Sequence, residues 1–204
     1  MSLQAATPQL ILASQSALRK SLLTHAGLSF ETLAPRIDED AIKHGVRAAS
    51  GQPEEAALLL AELKAGRISE CYPDAVVIGA DQVLVCEGDW FDKPEDLTAA
   101  RDHLRRLRGR HHTLVTAVLC ARNGAVLWHH LERPSLVMRP FSDAALEAYL
   151  SAEAEYVIQS VGCCRIEGPG LQLFEAIDGN YFSILGLPLL PLLGFLRQHG
   201  VLVA

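Results

Sequence analysis

The sequence predicts an α/β fold, a mixed sheet with helices flanking it. Three observations predict it. Segments with apolar residues at helical spacing mix along the chain with short apolar strand patterns. Hairpin signals outnumber obvious β-α-β units, which favours a mixed sheet over an all-parallel one. No internal repeat, low-complexity tract or composition shift divides the 204 residues, so one domain over residues 1–204 is expected.

In chain order, Leu10–Ala13 reads as a short buried strand. The polar stretch Ser14-Gln15-Ser16 leads into a helix over Leu18–Ala26, closed by Gly27 as its C-terminal glycine. Phe30–Leu33 reads as a second strand. Pro53 suits a helix start, and Ala56–Ile68 carries helical spacing. Ala75–Cys86 is an apolar strand interrupted only by Asp81-Gln82 and ended by the turn Glu87-Gly88-Asp89. A helix follows over Leu97–Leu107, with its leucines inward and arginines outward. Thr113–Ala121 and Ala125–Leu131 flank Asn123-Gly124, a strong hairpin signal. Ser142 is placed to cap a helix over Asp143–Leu150. Leu171–Ile177 and Tyr181–Leu185 flank Asp178-Gly179-Asn180 and read as another hairpin, and Leu189–Gln198 closes the chain as a helix.

Composition narrows the function classes. Half of the residues are hydrophobic, which excludes a mostly disordered chain. The net charge is −6, the wrong sign for a strongly basic nucleic-acid binder, so an anionic ligand needs a local cluster of cations. The first nine residues carry no lysine or arginine, and the apolar run after them is too short for a signal-peptide core. The most apolar tract, Ile184–Leu196, is broken by glycines and prolines and is shorter than the roughly 20 residues of a spanning helix. A soluble, cytoplasmic protein is expected. Five cysteines without a C-x-x-C spacing read as reduced thiols, not as a disulfide framework or zinc site.

Asp81 is the most informative residue. A carboxylate inside an apolar strand is costly unless it is paired, hydrogen-bonded or bound to a metal. It reads either as a structural carboxylate or as a site residue, and Gly79 beside it permits close backbone approach. Ser14-Gln15-Ser16-Ala17-Leu18-Arg19 joins strand to helix, where outward amides, two hydroxyls and a guanidinium suit a phosphate; a plain serine-capped helix is the alternative. Asp38-Glu39-Asp40 together with Asp81 could hold magnesium, or form a solvated acidic loop. Lys64 and Lys93 each read as surface lysines when taken singly. Arg101, Arg105 and Arg108 share a helical face without aromatics for base stacking, which reads as a solvated face. His129 and His130 point to opposite sides of a strand and are not expected to ligate one metal.

Together these pieces resemble the Maf family of nucleoside triphosphate pyrophosphatases over nearly the whole chain. The resemblance rests on L-I-L-A-S-Q-S-A-L-R-K from Leu10, I-D-E from Ile37, L-K-A around Lys64, V-I-G-A-D-Q-V from Val77 and D-K-P from Asp92. R-G-R-H-H-T-L-V-T-A from Arg108, I-E-G from Ile166 and D-G-N-Y-F-S-I-L-G-L-P-L from Asp178 complete it. It implies a Maf and inosine-triphosphatase type of fold with two lobes around a cleft. It also implies a hydrolase with a divalent cation (Mg or Mn) held by Glu39 and Asp81, a cytoplasmic location, and a homodimer. The implied reaction is attack of water on the α-phosphate of a nucleoside triphosphate, releasing monophosphate and pyrophosphate. Asp81 matches the family's catalytic aspartate, and Ser14, Arg19, Glu39, Lys64 and Lys93 match its active-site positions.

Three positions bear on the substrate. Where the thymidine and uridine triphosphate branch carries S-P-R-R, G-A-D-T and I-Q-G, this chain has Leu18, Gln82 and Glu167. These changes resemble the 7-methyl-GTP branch. A carboxylate at Glu167 suits the positive 7-methylguanine ring and its N1–H and amino donors, which a pyrimidine lacks. The expected partner is therefore a small-molecule nucleoside triphosphate, with no nucleic acid and no membrane. A dTTP or UTP pyrophosphatase of the same family, or a nucleotide-binding regulator of cell division without turnover, are the other readings.

Overall fold

The computed structural model describes residues 3–203, and the chain divides into two compact units. The first comprises residues 3–82, 116–132 and 180–203, and the second residues 83–115 and 133–179. Eight strands and seven α-helices make up the regular structure among the described residues: β1 Leu10–Leu12, α1 Ala17–His25, β2 Glu31–Thr32, α2 Glu39–Ala48, α3 Pro53–Ser69, β3 Val76–Cys86, β4 Asp89–Phe91, α4 Leu97–Leu107, β5 His111–Arg122, β6 Ala125–Glu132, β7 Ser135–Met138, α5 Asp143–Ala152, β8 Phe174–Asp178, α6 Tyr181–Ile184 and α7 Leu189–Gln198. The expected mixed α/β class is what the chain adopts: β1 pairs in parallel with β2 and β3, and the other registered pairs are antiparallel. No helix among the described residues is long and apolar enough to cross a membrane.

In the first unit the fully buried Leu10, Ile11 and Leu12 of β1 lie beside Val76, Val77 and Ile78 of β3. Strands buried on both faces read as continuous apolar runs, which is why these two stand out in the sequence. Helix α3 lies directly on β3. A Cβ at Gly79 would come 2.1 Å from the Ala61 carbonyl and 2.9 Å from the Ala65 nitrogen. Only a glycine lets these two backbones approach so closely. Strands β5 and β6 form the hairpin expected at Asn123-Gly124, whose φ angles of 50° and 74° are the positive values that a type I′ turn requires.

The second unit holds β4, α4, β7, α5 and β8 with the adjoining parts of β3 and β5. Four of its arginines are each matched with an acid: Arg101 with Glu147, Arg106 with Asp89, Arg108 with Asp143 and Arg110 with Glu87. Inside it, Arg165 donates both of its fork nitrogens to Glu153 at 2.7 Å and lies over the Tyr156 ring.

Two expectations are corrected. Residues 171–185 are not a hairpin. Phe174–Asp178 is β8 and pairs with β7, while Tyr181–Ile184 is a helical turn. Asn180 decides this, because its side chain accepts from the Phe182 amide and so caps a helix where the turn Asp178-Gly179-Asn180 was expected to lead into a strand. The acidic triplet is not a loop either. Asp38 caps α2 by accepting from the Ala41 amide at 3.0 Å, and Glu39 and Asp40 fill the first turn, where carboxylates favour the helix dipole.

Candidate active site

Four elements of the first unit bring charged side chains together. Lys64 is one turn and a half from the end of α3, on the face that packs over β3, and only 4% of it is exposed. Its ammonium donates to Asp81 Oδ1 at 2.6 Å and lies 2.8 Å from Glu39 Oε1. Asp81 is equally buried, at 4%, and its second oxygen, Oδ2, has no hydrogen-bond partner. A buried carboxylate oxygen without a partner is expensive in a purely structural role. Glu39 reaches the same ammonium from the first turn of α2, with 44% of its side chain exposed.

Arg19 completes the set from the first turns of α1. Its Nε donates to the Gly186 carbonyl at 2.8 Å and Nη1 to Ser14 Oγ at 3.4 Å. Ser14 Oγ also accepts from the Ser16 amide, and Ser16 Oγ caps the helix at the Arg19 amide. Burial pushes the Arg19 guanidinium down, opposed by the fields of Asp81 and Glu39; the group remains a cation. Burial alone would raise the Glu39 carboxyl, but Lys64, through charge and hydrogen bond, then Lys43 and Arg19 hold it below its ordinary value. Two carboxylates and several cations thus share one field, and the cations give an anion the local attraction that the net charge does not.

The site residues expected from sequence separate into two groups. Ser14, Arg19, Glu39, Lys64 and Asp81 are drawn together by contacts or electrostatic interactions, and Leu18 sits on α1 beside Arg19. Lys93 and Glu167 are exposed residues of the second unit. Gln82 follows Asp81 on β3, so the alternation of strand side chains turns it to the opposite face. There its amide nitrogen donates to Thr116 Oγ1 at 2.8 Å, the Ser183 carbonyl at 3.0 Å and the Ile184 carbonyl at 3.2 Å. Thr116, Ser183, Gly186 and the buried Lys43 were not named as site residues from the sequence. The first three lie within the quoted motifs, which was their only signal; Lys43 had none.

The donor set fits a divalent cation. Magnesium takes one or two carboxylates and completes its shell with water and substrate phosphates. Asp81 Oδ2, buried and unpartnered, and the half-exposed Glu39 carboxylate are two such oxygens. A cage made of protein groups alone is not what this chain offers: no cluster of three or more His, Cys, Asp or Glu is found among the described residues. Two surface hollows of about 450 and 570 Å³ lie around Ala6, Pro8 and Gln9. Neither gathers buried cations as the Asp81 site does.

The family model described as Maf-like protein matches residues 9–199. A protein of Granulibacter bethesdensis named nucleoside triphosphate pyrophosphatase is 57% identical, over 95% of this chain and 98% of its own length. One of Rhodospirillum rubrum with the same name is 50% identical over 99% and 100%. One of Rhizobium meliloti named 7-methyl-GTP pyrophosphatase is 45% identical over 97% and 99%.

Proposed function

The chain belongs to the Maf family, and we propose that it is a nucleoside triphosphate pyrophosphatase whose substrate is 7-methyl-GTP. The observation that carries the reading is the buried Lys64 ammonium shared between Asp81 and Glu39, with Asp81 Oδ2 left without a partner. A triphosphate brings close to four negative charges, and Arg19, Lys64 and Lys93 are the cations assigned to it. Ser14 and the first amides of α1 add hydrogen-bond donors where the helix dipole favours an anion. A bound Mg²⁺ or Mn²⁺, held by Glu39 and Asp81, would supply charge neutralisation and Lewis-acid polarisation of the phosphoryl groups.

The chemical step needs a water oxygen to attack the α-phosphorus while the bond to the bridging oxygen of the β-phosphate breaks. Pyrophosphate leaves and the monophosphate keeps the new oxygen. The water's proton needs an acceptor. Of the two Asp81 oxygens, Oδ1 is committed to Lys64, so proton acceptance and cation binding both fall to Oδ2. Lys64, bonded to Oδ1, orients the Asp81 carboxylate for either task.

The base assignment rests on the resemblance at Leu18, Gln82 and Glu167: Glu167 would accept from the N1–H and amino group of the positively charged 7-methylguanine ring, while Gln82, whose amide is bonded to Thr116 and the α6 turn, would act only through that turn. Two further Rhizobium relatives, 46% and 44% identical, share the 7-methyl-GTP name, while five relatives at 47–57% identity carry the general one. The test is a panel of 7-methyl-GTP, GTP, dTTP and UTP with magnesium or manganese, scored by pyrophosphate release. We expect 7-methyl-GTP to give the highest kcat/KM and Asp81→Asn to lower kcat by about 10²–10⁴-fold, the range of a lost proton-transfer group. Preference for dTTP or UTP moves the enzyme to the pyrimidine branch. Tight binding without turnover makes it a nucleotide-binding regulator, and an Asp81→Asn variant with full activity removes Asp81 from the chemistry.

A further inference from the structure

A second polar cluster stands behind Arg19, centred on Glu132, a residue that neither the quoted motifs nor the proposed reaction uses. Glu132 ends β6 directly across from Thr116 on β5, so the two side chains share a face of the sheet. Both reach Ser183, which is fully buried in α6. Ser183 Oγ donates to Glu132 Oε2 at 2.6 Å, while its carbonyl accepts from Thr116 Oγ1 at 3.0 Å and from the Gln82 amide at 3.0 Å. The other Glu132 oxygen faces His130 Nε2 at 3.2 Å. Three residues beyond Ser183, Gly186 adopts φ 93° and turns its carbonyl to Arg19 Nε. A Cβ there would lie 3.7 Å from Arg19 Nε and Nη2. The guanidinium is therefore aimed by a carbonyl on a short turn, and that turn is pinned at Ser183.

We propose that Glu132 is a positioning residue: by holding the Ser183 hydroxyl it seats the α6 turn, which sets the direction in which Arg19 presents its guanidinium to the triphosphate. The inference rests on the phosphate-binding role given to Arg19. A four-residue helix has little stability of its own, so its placement depends on tertiary bonds. A hydroxyl-to-carboxylate bond at 2.6 Å is of the strong, charge-assisted kind. Gln82 and Thr116 hold the backbone of the turn at the Ser183 and Ile184 carbonyls, and Glu132 adds a hold on the Ser183 side chain.

The experiment is a double-mutant cycle between Glu132→Ala and Arg19→Ala, done well below each variant's melting temperature. The readouts are affinity for inorganic triphosphate in magnesium, and KM and kcat for the best nucleotide. Glu132→Ala is expected to weaken triphosphate affinity and raise KM about 10-fold, with kcat changed less, and to add under about 2-fold once Arg19 is absent. Glu132→Gln, which retains an acceptor for Ser183 Oγ, should restore affinity to within about 3-fold. A Glu132→Ala variant that only melts earlier, or whose full effect persists in the Arg19→Ala background, overturns the proposal, as does a wild-type protein that binds no triphosphate. If the wild type binds triphosphate but cleaves no nucleotide, the proposed reaction fails and the affinity cycle still decides the role of Glu132.

Discussion

Lys64 is the residue on which the site's electrostatics turn. Its ammonium answers two carboxylates at once, and removing one partner of a buried pair leaves an uncompensated charge, which typically costs 3–5 kcal/mol. Lys64→Met is therefore expected to lower unfolding free energy by about 3 kcal/mol, read by urea titration. Adding Asp81→Asn removes the orphaned charge, so the double variant should be more stable than Lys64→Met alone. A double variant less stable than either single one would mean that the pair does not act through charge. Activity would be lost in all three. The pairing was not legible in the sequence, where Lys64 reads as one more surface lysine on a long helix. Asp81 was legible, because a carboxylate in an apolar strand has no cheap structural use. Gln82 was misleading in the opposite way: its neighbour is in the site, yet the two-residue period of the strand turns its amide to the α6 turn.

At the scale of elements, the site exists because α3 rests on β3 with no side chain between them. Gly79→Ala would drive a methyl into the Ala61 carbonyl, 2.1 Å away, and backbone cannot yield as a side-chain tip can. The helix must lift, which overpacked sites show to cost about 1–3 kcal/mol, and it carries Lys64 away from Asp81. We expect Gly79→Ala to lower both stability and kcat/KM, whereas Gly66→Ala on the same helix, with nothing within 4 Å, should raise stability slightly or leave it unchanged. Equal behaviour of the two variants in thermal melts would refute the contact.

Elements with a plain local pattern were legible whatever their length. The strands at residues 10–12 and 76–86 are apolar runs, the helices at 53–69 and 97–107 carry a helical period, and the Asn123-Gly124 hairpin has a turn with a strict φ requirement. Short elements without such a pattern were not. β4 and β7 have three and four residues, and α6 has four, too few for a period to repeat. Helix α2 was hidden because its acids suggested a loop or a metal ligand, when one of them is its cap.

For the whole molecule the relevant sum is over charge. The charges are not spread evenly: several arginines of the second unit have carboxylates of their own, while Arg19, Lys43 and Lys64 of the first act together on Glu39. The same pairing makes stability fall with acid, and the groups involved set two windows. His112 in β5 is 2% exposed beside the Phe174 ring, its Nδ1 has no partner, and burial pulls its pKa from 6.5 to about 4. A base whose folded value is depressed is neutral in the native state, while the unfolded chain takes up the proton. Its contribution is therefore complete above 6.5 and is lost as pH falls towards 4. Glu39, held down despite its burial by Lys64, and Glu153, held down by Arg165, act with the same sign but only below their ordinary value near 4.5. Unfolding free energy should thus decline in two stages. From pH 6.5 to 4.5 the loss is about 2 kcal/mol and belongs to His112. Below 4.5 the carboxylates add theirs and the slope steepens. His112→Leu removes the first stage and leaves the second, a difference that urea titrations at half-unit pH steps resolve. A wild-type curve flat between 6.5 and 4.5 would mean that the buried imidazole already holds its proton in the folded chain.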